Sequence, residues 1–152
     1  MQLAWRFARF DGLSVREWHD IVVARESVFV LEQTCAFLDA DGADPQCHHL
    51  VGKVEGEIAA YSRIVPPGLK YEEPSIGRVL TTKNFRRGGY GQALMKEAVA
   101  RCEALYPGAN IRIGAQMYLE KFYGGYGFKT VSEPYDEDGI QHVIMLRESK
   151  NV

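Results

Sequence analysis

Gly77-Arg78-Val79-Leu80-Thr81-Thr82-Lys83-Asn84-Phe85-Arg86-Arg87-Gly88-Gly89-Tyr90-Gly91-Gln92-Ala93 is the stretch that decides the fold. It starts as a β-strand and ends as the opening of an α-helix. The helix stripe Tyr90, Leu94, Ala98, Cys102 and Leu105 has helical spacing. Between the two, glycines at 88, 89 and 91 remove side chains where a backbone curves tightly or approaches a ligand. A helix start presents N–H groups without intrahelical acceptors and the positive end of the helix dipole. Arg86 and Arg87 add charge and donors, which together make a phosphate site. No Gly-x-x-x-x-Gly-Lys-Ser/Thr string is present. The dinucleotide fingerprint fails too, because Leu94 stands where its third glycine belongs. The plain alternative is a glycine-rich connection that binds nothing.

Working outward, the pattern predicts a strand over about 3–8 and a helix from about Val15 to Leu31, its continuity left open. Ser14 and Glu17 fit a capping box at the start of that helix. Residues 34–47 read as a loop. Strands over about 48–54 and 57–66 are joined by a hairpin turn at Glu55-Gly56. A strand spans about 75–82, and the glycine-opened helix runs to about Leu105. A strand at 110–115, a short helix at 117–124 and two strands, 127–133 and 141–147, complete the order around an acidic turn at 136–139. The order predicts a mixed α/β layer fold with one main sheet.

The chain's 152 residues are one domain's worth, 1–152, large enough to bury a core without disulfides. A net charge of −2 gives no support for a general nucleic-acid binder. No apolar run approaches the roughly 20 residues that span a bilayer, and the first residues lack a signal-peptide layout. The expectation is a cytoplasmic protein without nucleic-acid or membrane partners. Three cysteines, an odd count, argue against a disulfide framework, and Cys102 on the apolar helix face reads as a small buried hydrophobe.

Arg86-x-x-Gly89-x-Gly91, after a strand and opening a helix, resembles the acyl-donor motif of the GNAT superfamily of N-acetyltransferases. Gln116-Met117-Tyr118-Leu119-Glu120-Lys121-Phe122-Tyr123-Gly124-Gly125-Tyr126-Gly127-Phe128 looks like that family's closing motif, with Gln116 in a place often held by Asn. A narrower set of strings is similar to the ElaA-like branch, nearly end to end: Arg25 to Gln33, Asp41 to Asp44, His48 to Leu50, Gly77 to Val79, and Glu137 to His142. The resemblance implies a GNAT-like fold, with a mostly antiparallel central sheet and helices on both faces. It implies that the strand at 77–81 and that at 110–115 splay apart. It also implies acetyl-coenzyme A as acyl donor, with its pyrophosphate on the amides of Arg87, Gly88, Gly89, Tyr90, Gly91 and Gln92 and with Arg86 as a further cofactor-binding residue. Val79, Leu80, Thr81 and Gln116 would flank the pantetheine and thioester. Tyr123 takes the place of the tyrosine often assigned as acid to the leaving thiolate; packing against Phe122 and Tyr126 is its alternative. The branch leaves the acceptor open.

The expected function is therefore direct acetyl transfer to a primary amine. Glu32, His48, Asp138 and His142 are candidates to line the acceptor site, each with a structural alternative: capping a loop, or pairing with Arg25 or Arg78. His48 and His49 should face opposite sides of a strand, one towards the acceptor and one at the surface. Cys35, Cys47 and the two histidines lack the spacing of a zinc site, so no metal is expected. Asp39-Ala40-Asp41-Gly42-Ala43-Asp44 has the wrong order for an EF-hand and reads as a solvated acidic turn. Two rivals share parts of this picture: a non-catalytic acyl-coenzyme A sensor, and a homodimeric interaction module with an incidental glycine turn.

Overall fold

The computed structural model describes residues 2–36 and 38–150. Met1, Phe37, Asn151 and Val152, which fall inside the expected domain and loop, lie outside the described residues. β1 (Ala4–Arg9), β2 (His48–Val54), β3 (Glu57–Val65) and β4 (Ser75–Thr81) form one antiparallel sheet in sequence order. The β2–β3 turn has two residues, Glu55 and Gly56, with φ of 51° and 82°, the left-handed pair that a type I′ hairpin demands. β5 (Ile111–Gln116), β6 (Phe128–Thr130), β7 (Tyr135–Glu137) and β8 (Ile140–Arg147) form a second sheet, with β5, β6 and β7 all pairing β8. Asp138-Gly139 makes the tight β7–β8 turn, with φ of 55° and 81°.

The expected single sheet is thus corrected to two. β4 and β5 run side by side and are joined at their starts, where the Arg112 N–H donates to the Pro74 carbonyl at 3.1 Å. The cause of their parting lies in β4. Gly77 faces Arg63 and Leu80 faces Tyr61, so Arg78 and Val79 together oppose Ser62. Arg78 takes a φ of 51°. Such a bulge bends its strand and increases the local twist. Past their starts β4 and β5 belong to different sheets and form no ladder with each other, which is the splay that the family resemblance implied.

Helices cover both faces of the first sheet. α2 (Tyr90–Leu105) buries Leu94, Met95, Ala98, Val99 and Cys102 against Leu50, Ala60, Ile64 and Ile76. The same core takes in Ile113, Val143 and Met145 from the second sheet, so α2 ties the two sheets together. On the opposite face, Ile21 and Val28 pack on Val51, Tyr61 and Leu80. α1 (Val15–Arg25) opens with the predicted capping box: Ser14 Oγ accepts from the Glu17 N–H at 3.0 Å, and Glu17 Oε1 from the Ser14 N–H at 2.9 Å. The helix expected to reach Leu31 changes at Arg25. Residues Glu26–Glu32 continue as a wider π-type coil, whose last bond runs from the Gln33 N–H to the Val28 carbonyl at 3.1 Å.

Two further expectations change. The strand expected at 127–133 is β6 followed by a break and β7, with Pro134, which has no N–H to give a ladder, in the gap. The acidic turn at 39–44 is solvated only in its middle, and its two end aspartates are buried. Asp39 and Asp44 are 7% and 2% exposed. Asp44 accepts from Arg25 at 2.8 Å and Arg63 at 2.7 Å, and Asp39 from Arg25 at 2.7 Å. Asp41 holds the Arg63 guanidinium on two bonds of 2.6 and 2.9 Å. Arg78 adds a bond to the Asp39 carbonyl at 2.9 Å. Three arginines thus neutralise three aspartates, which is the condition for burying charge at all. Their signal in the sequence was Arg63, a full charge inside the otherwise uncharged run Ile58-Ala59-Ala60-Tyr61-Ser62-Arg63-Ile64-Val65.

Candidate functional site

The splay opens a cleft of about 870 Å³ between β4 and β5. Its walls come from the π segment, the bulged end of β4, the end of β5, α3 (Glu120–Gly124) and the β7–β8 hairpin. Val79, Leu80, Thr81 and Gln116, the residues proposed beside the thioester, all line it.

At one end sits the glycine turn. Gly89 caps α2 with a φ of 79°, and Arg87 is also left-handed at 70°. The first intrahelical bond is that from the Ala93 N–H to the Gly89 carbonyl, at 3.1 Å. The N–H groups of Tyr90, Gly91 and Gln92 therefore have no intrahelical acceptor, and Gly91 lines the cleft. A Cβ on Gly88 would lie 2.5 Å from the Tyr90 ring, so a side chain there would displace that aromatic. Arg86 also lines the cleft, but its guanidinium is engaged: it donates to the Thr81 carbonyl at 3.1 Å and pairs with Glu32 at 2.6 Å. Arg87, Gly88, Gly89 and Gln92 are exposed on the turn rather than on the wall, leaving Arg87 as the cation open to a ligand there.

The closing motif braces this turn. The Tyr126 hydroxyl donates to the Gln92 carbonyl at 3.1 Å, and Phe122 stacks edge-on with Tyr126 and Tyr123 at 5.5 and 5.2 Å. Tyr123 is 6% exposed and lines the cleft. Burial, with the nearby Tyr118 adding to it, pushes the Tyr123 phenol above its ordinary range and keeps it protonated. Among the described residues its hydroxyl has no hydrogen-bond partner in the protein. Gln116 Nε2 donates to Gln33 Oε1 at 3.2 Å, linking β5 to the end of the π segment. Gln33 belongs to the quoted branch-like string, but nothing in its spacing marks it as a cleft residue.

The other end of the cleft is polar. His142, 7% exposed, and Asp138 line it together with Glu137 and Lys70. His142 Nδ1 lies 2.8 Å from the Ile140 carbonyl, an acceptor only, so this nitrogen carries a proton. Its Nε2 faces Glu137 Oε2 at 3.3 Å. Glu32 lines the cleft, with its carboxylate taken by Arg86. His48 does not line it: the ring stacks on Phe7 at 5.2 Å. His49 corrects the remaining expectation, because it is fully buried rather than at the surface. Its Nδ1 lies 2.7 Å from the Tyr61 hydroxyl and its Nε2 3.0 Å from the Asp44 carbonyl. Burial pushes its pKa down, opposed by the Asp44 carbonyl. The strand alternation was read correctly; the core behind β2 is simply polar enough to satisfy an imidazole. Cys35 and Cys47 are free and buried.

A family model described as an acetyltransferase (GNAT) domain matches residues 20–149. A UPF0039 protein of Synechocystis is 40% identical over 147 residues, covering 96% of both chains. The crystal structure of an acyl-CoA N-acyltransferase from Pseudomonas aeruginosa superposes with a TM-score of 0.91 at 35% identity, over 95% of this chain and 99% of that one. That of Escherichia coli ElaA does so with a TM-score of 0.90 at 35% identity, over 96% and 99%.

Proposed function

The chain belongs to the acetyltransferase (GNAT) domain family, and we propose that it moves an acetyl group from acetyl-coenzyme A directly to a primary amine. The observation that carries this reading is the joining of the α2 N-terminus, the β4 bulge and Tyr123 along one cleft. The fit to the donor is physical. Three N–H groups without intrahelical acceptors, the positive end of α2 and Arg87 suit a pyrophosphate. The bulge takes Arg78 and Val79 out of regular pairing with β3, which leaves strand backbone to pair with an amide-bearing arm.

When bound, the donor supplies the activated acyl group as a thioester. The protein's part is position and protons. The amine reaches the cleft mostly as an ammonium, with a pKa of about 10.4, and loses a proton before attack. His142 Nε2 and Glu137 face each other at the polar end, where that proton can be taken up. Tyr123 donates a hydrogen bond to negative charge growing on the departing sulfur. Its raised pKa makes complete proton transfer to a thiolate uphill, so its contribution is stabilisation of that charge more than delivery of a proton.

The test is calorimetric titration with acetyl-coenzyme A and coenzyme A, against Gly89→Asp. A carboxylate at the helix start repels pyrophosphate, and the left-handed φ of 79° adds strain. Micromolar-range binding lost in the variant supports the donor site. No binding at millimolar cofactor, from protein shown to be folded, overturns it.

A further inference from the structure

Charge matching along the cleft leaves a short remainder. Arg25, Arg63 and Arg78 are balanced by Asp39, Asp41 and Asp44, and Arg86 by Glu32. What is left facing the cleft is one cation, Lys70, and two carboxylates, Glu137 and Asp138. Among the described residues Lys70 has no carboxylate within ion-pair reach; its ammonium stands 5.7 Å from the Tyr71 ring centre.

These groups are held together by construction. The loop carrying Lys70 is pinned to β5 by two Arg112–Glu73 bonds of 2.9 Å and closed on itself by the Gly68 N–H to the Tyr71 carbonyl at 2.7 Å. Gly114 of β5 makes the meeting point. A Cβ there would lie 3.0 Å from the Tyr135 hydroxyl and 3.2 Å from that of Tyr71. The missing side chain lets both tyrosines converge over β5, which brings Lys70 and Glu137 to one end of the cleft. Lys70 is exposed, so it keeps much of its water; the protein around it still lowers its pKa somewhat, with Glu137 opposing and Arg63 and Arg78 adding to the fall. The His142–Glu137 pair has the opposite charge preference. In the neutral tautomer that carries its proton on Nδ1, Nε2 and the carboxylate face each other as two acceptors, and an ammonium supplies the missing donor.

Resting on the acyl-transfer reading above, we infer that the acceptor is a small zwitterion, a free amino acid, with its ammonium at Glu137 and His142 and its carboxylate on Lys70. The attack balances as follows. The amine, after releasing its proton to the His142–Glu137 pair, forms the C–N bond. The C–S bond breaks with its electron pair on sulfur, and the second proton lost by the nitrogen goes to that thiolate. Coenzyme A leaves as the thiol, while the proton held by the His142–Glu137 pair passes to water. The product is an N-acetyl amino acid.

The experiment measures thiol release from acetyl-coenzyme A with glycine, leucine, glutamate and lysine, each as the free acid and as the carboxamide. A carboxamide's α-amine is the weaker base and more of it is free to attack, so preference for the acid cannot arise from basicity. A charge-assisted contact to Lys70 predicts that at least one free acid exceeds its carboxamide in kcat/KM by about tenfold or more. Lys70→Ala should collapse that ratio towards one, and Lys70→Arg should retain most of it. Carboxamides turned over as well as or better than the acids overturn the inference and leave acyl transfer standing. A Lys70→Ala ratio equal to that of the wild type also overturns it. Micromolar-range acetyl-coenzyme A binding without turnover of any amine overturns both readings at the acceptor step and leaves the donor site in place.

Discussion

Asp44 is the residue whose change tests the buried charge network most directly. Asp44→Asn keeps the shape and removes one negative charge from a neutral set of three arginines and three aspartates. The side chain is 3% exposed, so water cannot replace what is lost. Asp44 Oδ1 accepts from Arg25 at 2.8 Å and Arg63 at 2.7 Å, and Oδ2 from the Asp41 N–H at 3.1 Å. Burial pushes its carboxyl up, but the hydrogen bond and charge of Arg25 and the hydrogen bond of Arg63 outweigh it and hold the group below the usual range. Each charge-assisted bond is worth about 1.5–3 kcal/mol. Removing one partner of a buried ionic group leaves an uncompensated charge and costs about 3–5 kcal/mol in all. For a chain of this size a loss of 1 kcal/mol lowers Tm by about 2–4 °C, so the expected fall is roughly 6–20 °C. Asp41→Asn, at a side chain 39% exposed, should lose clearly less. The assay is thermal unfolding followed by circular dichroism, with urea unfolding as a check that the slope m is unchanged. An Asp44→Asn protein melting within about 2 °C of the wild type would refute the reasoning that the buried charges of Arg25 and Arg63 depend on Asp44 for their compensation.

Tyr123→Phe should lower kcat by about ten- to a hundredfold and leave acetyl-coenzyme A affinity within about twofold, read by steady-state kinetics and calorimetry; unchanged turnover across pH would remove the role. Stability should be greatest between about pH 6.5 and 8.5. His49 has a depressed folded pKa, so stability falls as pH drops below its unfolded value, and more steeply where Asp41 and Asp44 begin to protonate. Cys47 and Cys102 are pushed up by burial to about 11 and about 12, so stability also falls as pH rises past the unfolded thiol value; urea midpoints across pH measure both limbs. Gly114→Val should displace Tyr71 and Tyr135 and raise KM for the amine at least about fivefold with donor affinity retained, because its branched side chain begins at a Cβ already 3.0 Å from a hydroxyl.

Several features were legible because they are local. The capping box at Ser14 and Glu17, the Glu55-Gly56 turn, the glycine opening of α2 and the turn at Asp138-Gly139 each follow from backbone freedom or short-range bonding within a few residues. Periodicity placed Leu94, Ala98 and Cys102 inside, and they are inside. The pairing of strands into two sheets was not legible from patterning. It depends on an extra residue opposite Ser62, and a run of apolar positions looks the same with or without that bulge.

By itself, then, the sequence determined most of the elements, the glycine turn that opens α2 and the family, because each rests on residue types at fixed short spacings. Only the tertiary structure decided that Asp39 and Asp44 are interior, that His48 does not line the cleft, and that Lys70, Glu137 and His142 share one end of it. Those outcomes depend on charges from distant strands meeting in space. Electrostatic partnership across 14 to 39 positions of chain leaves no period in the sequence.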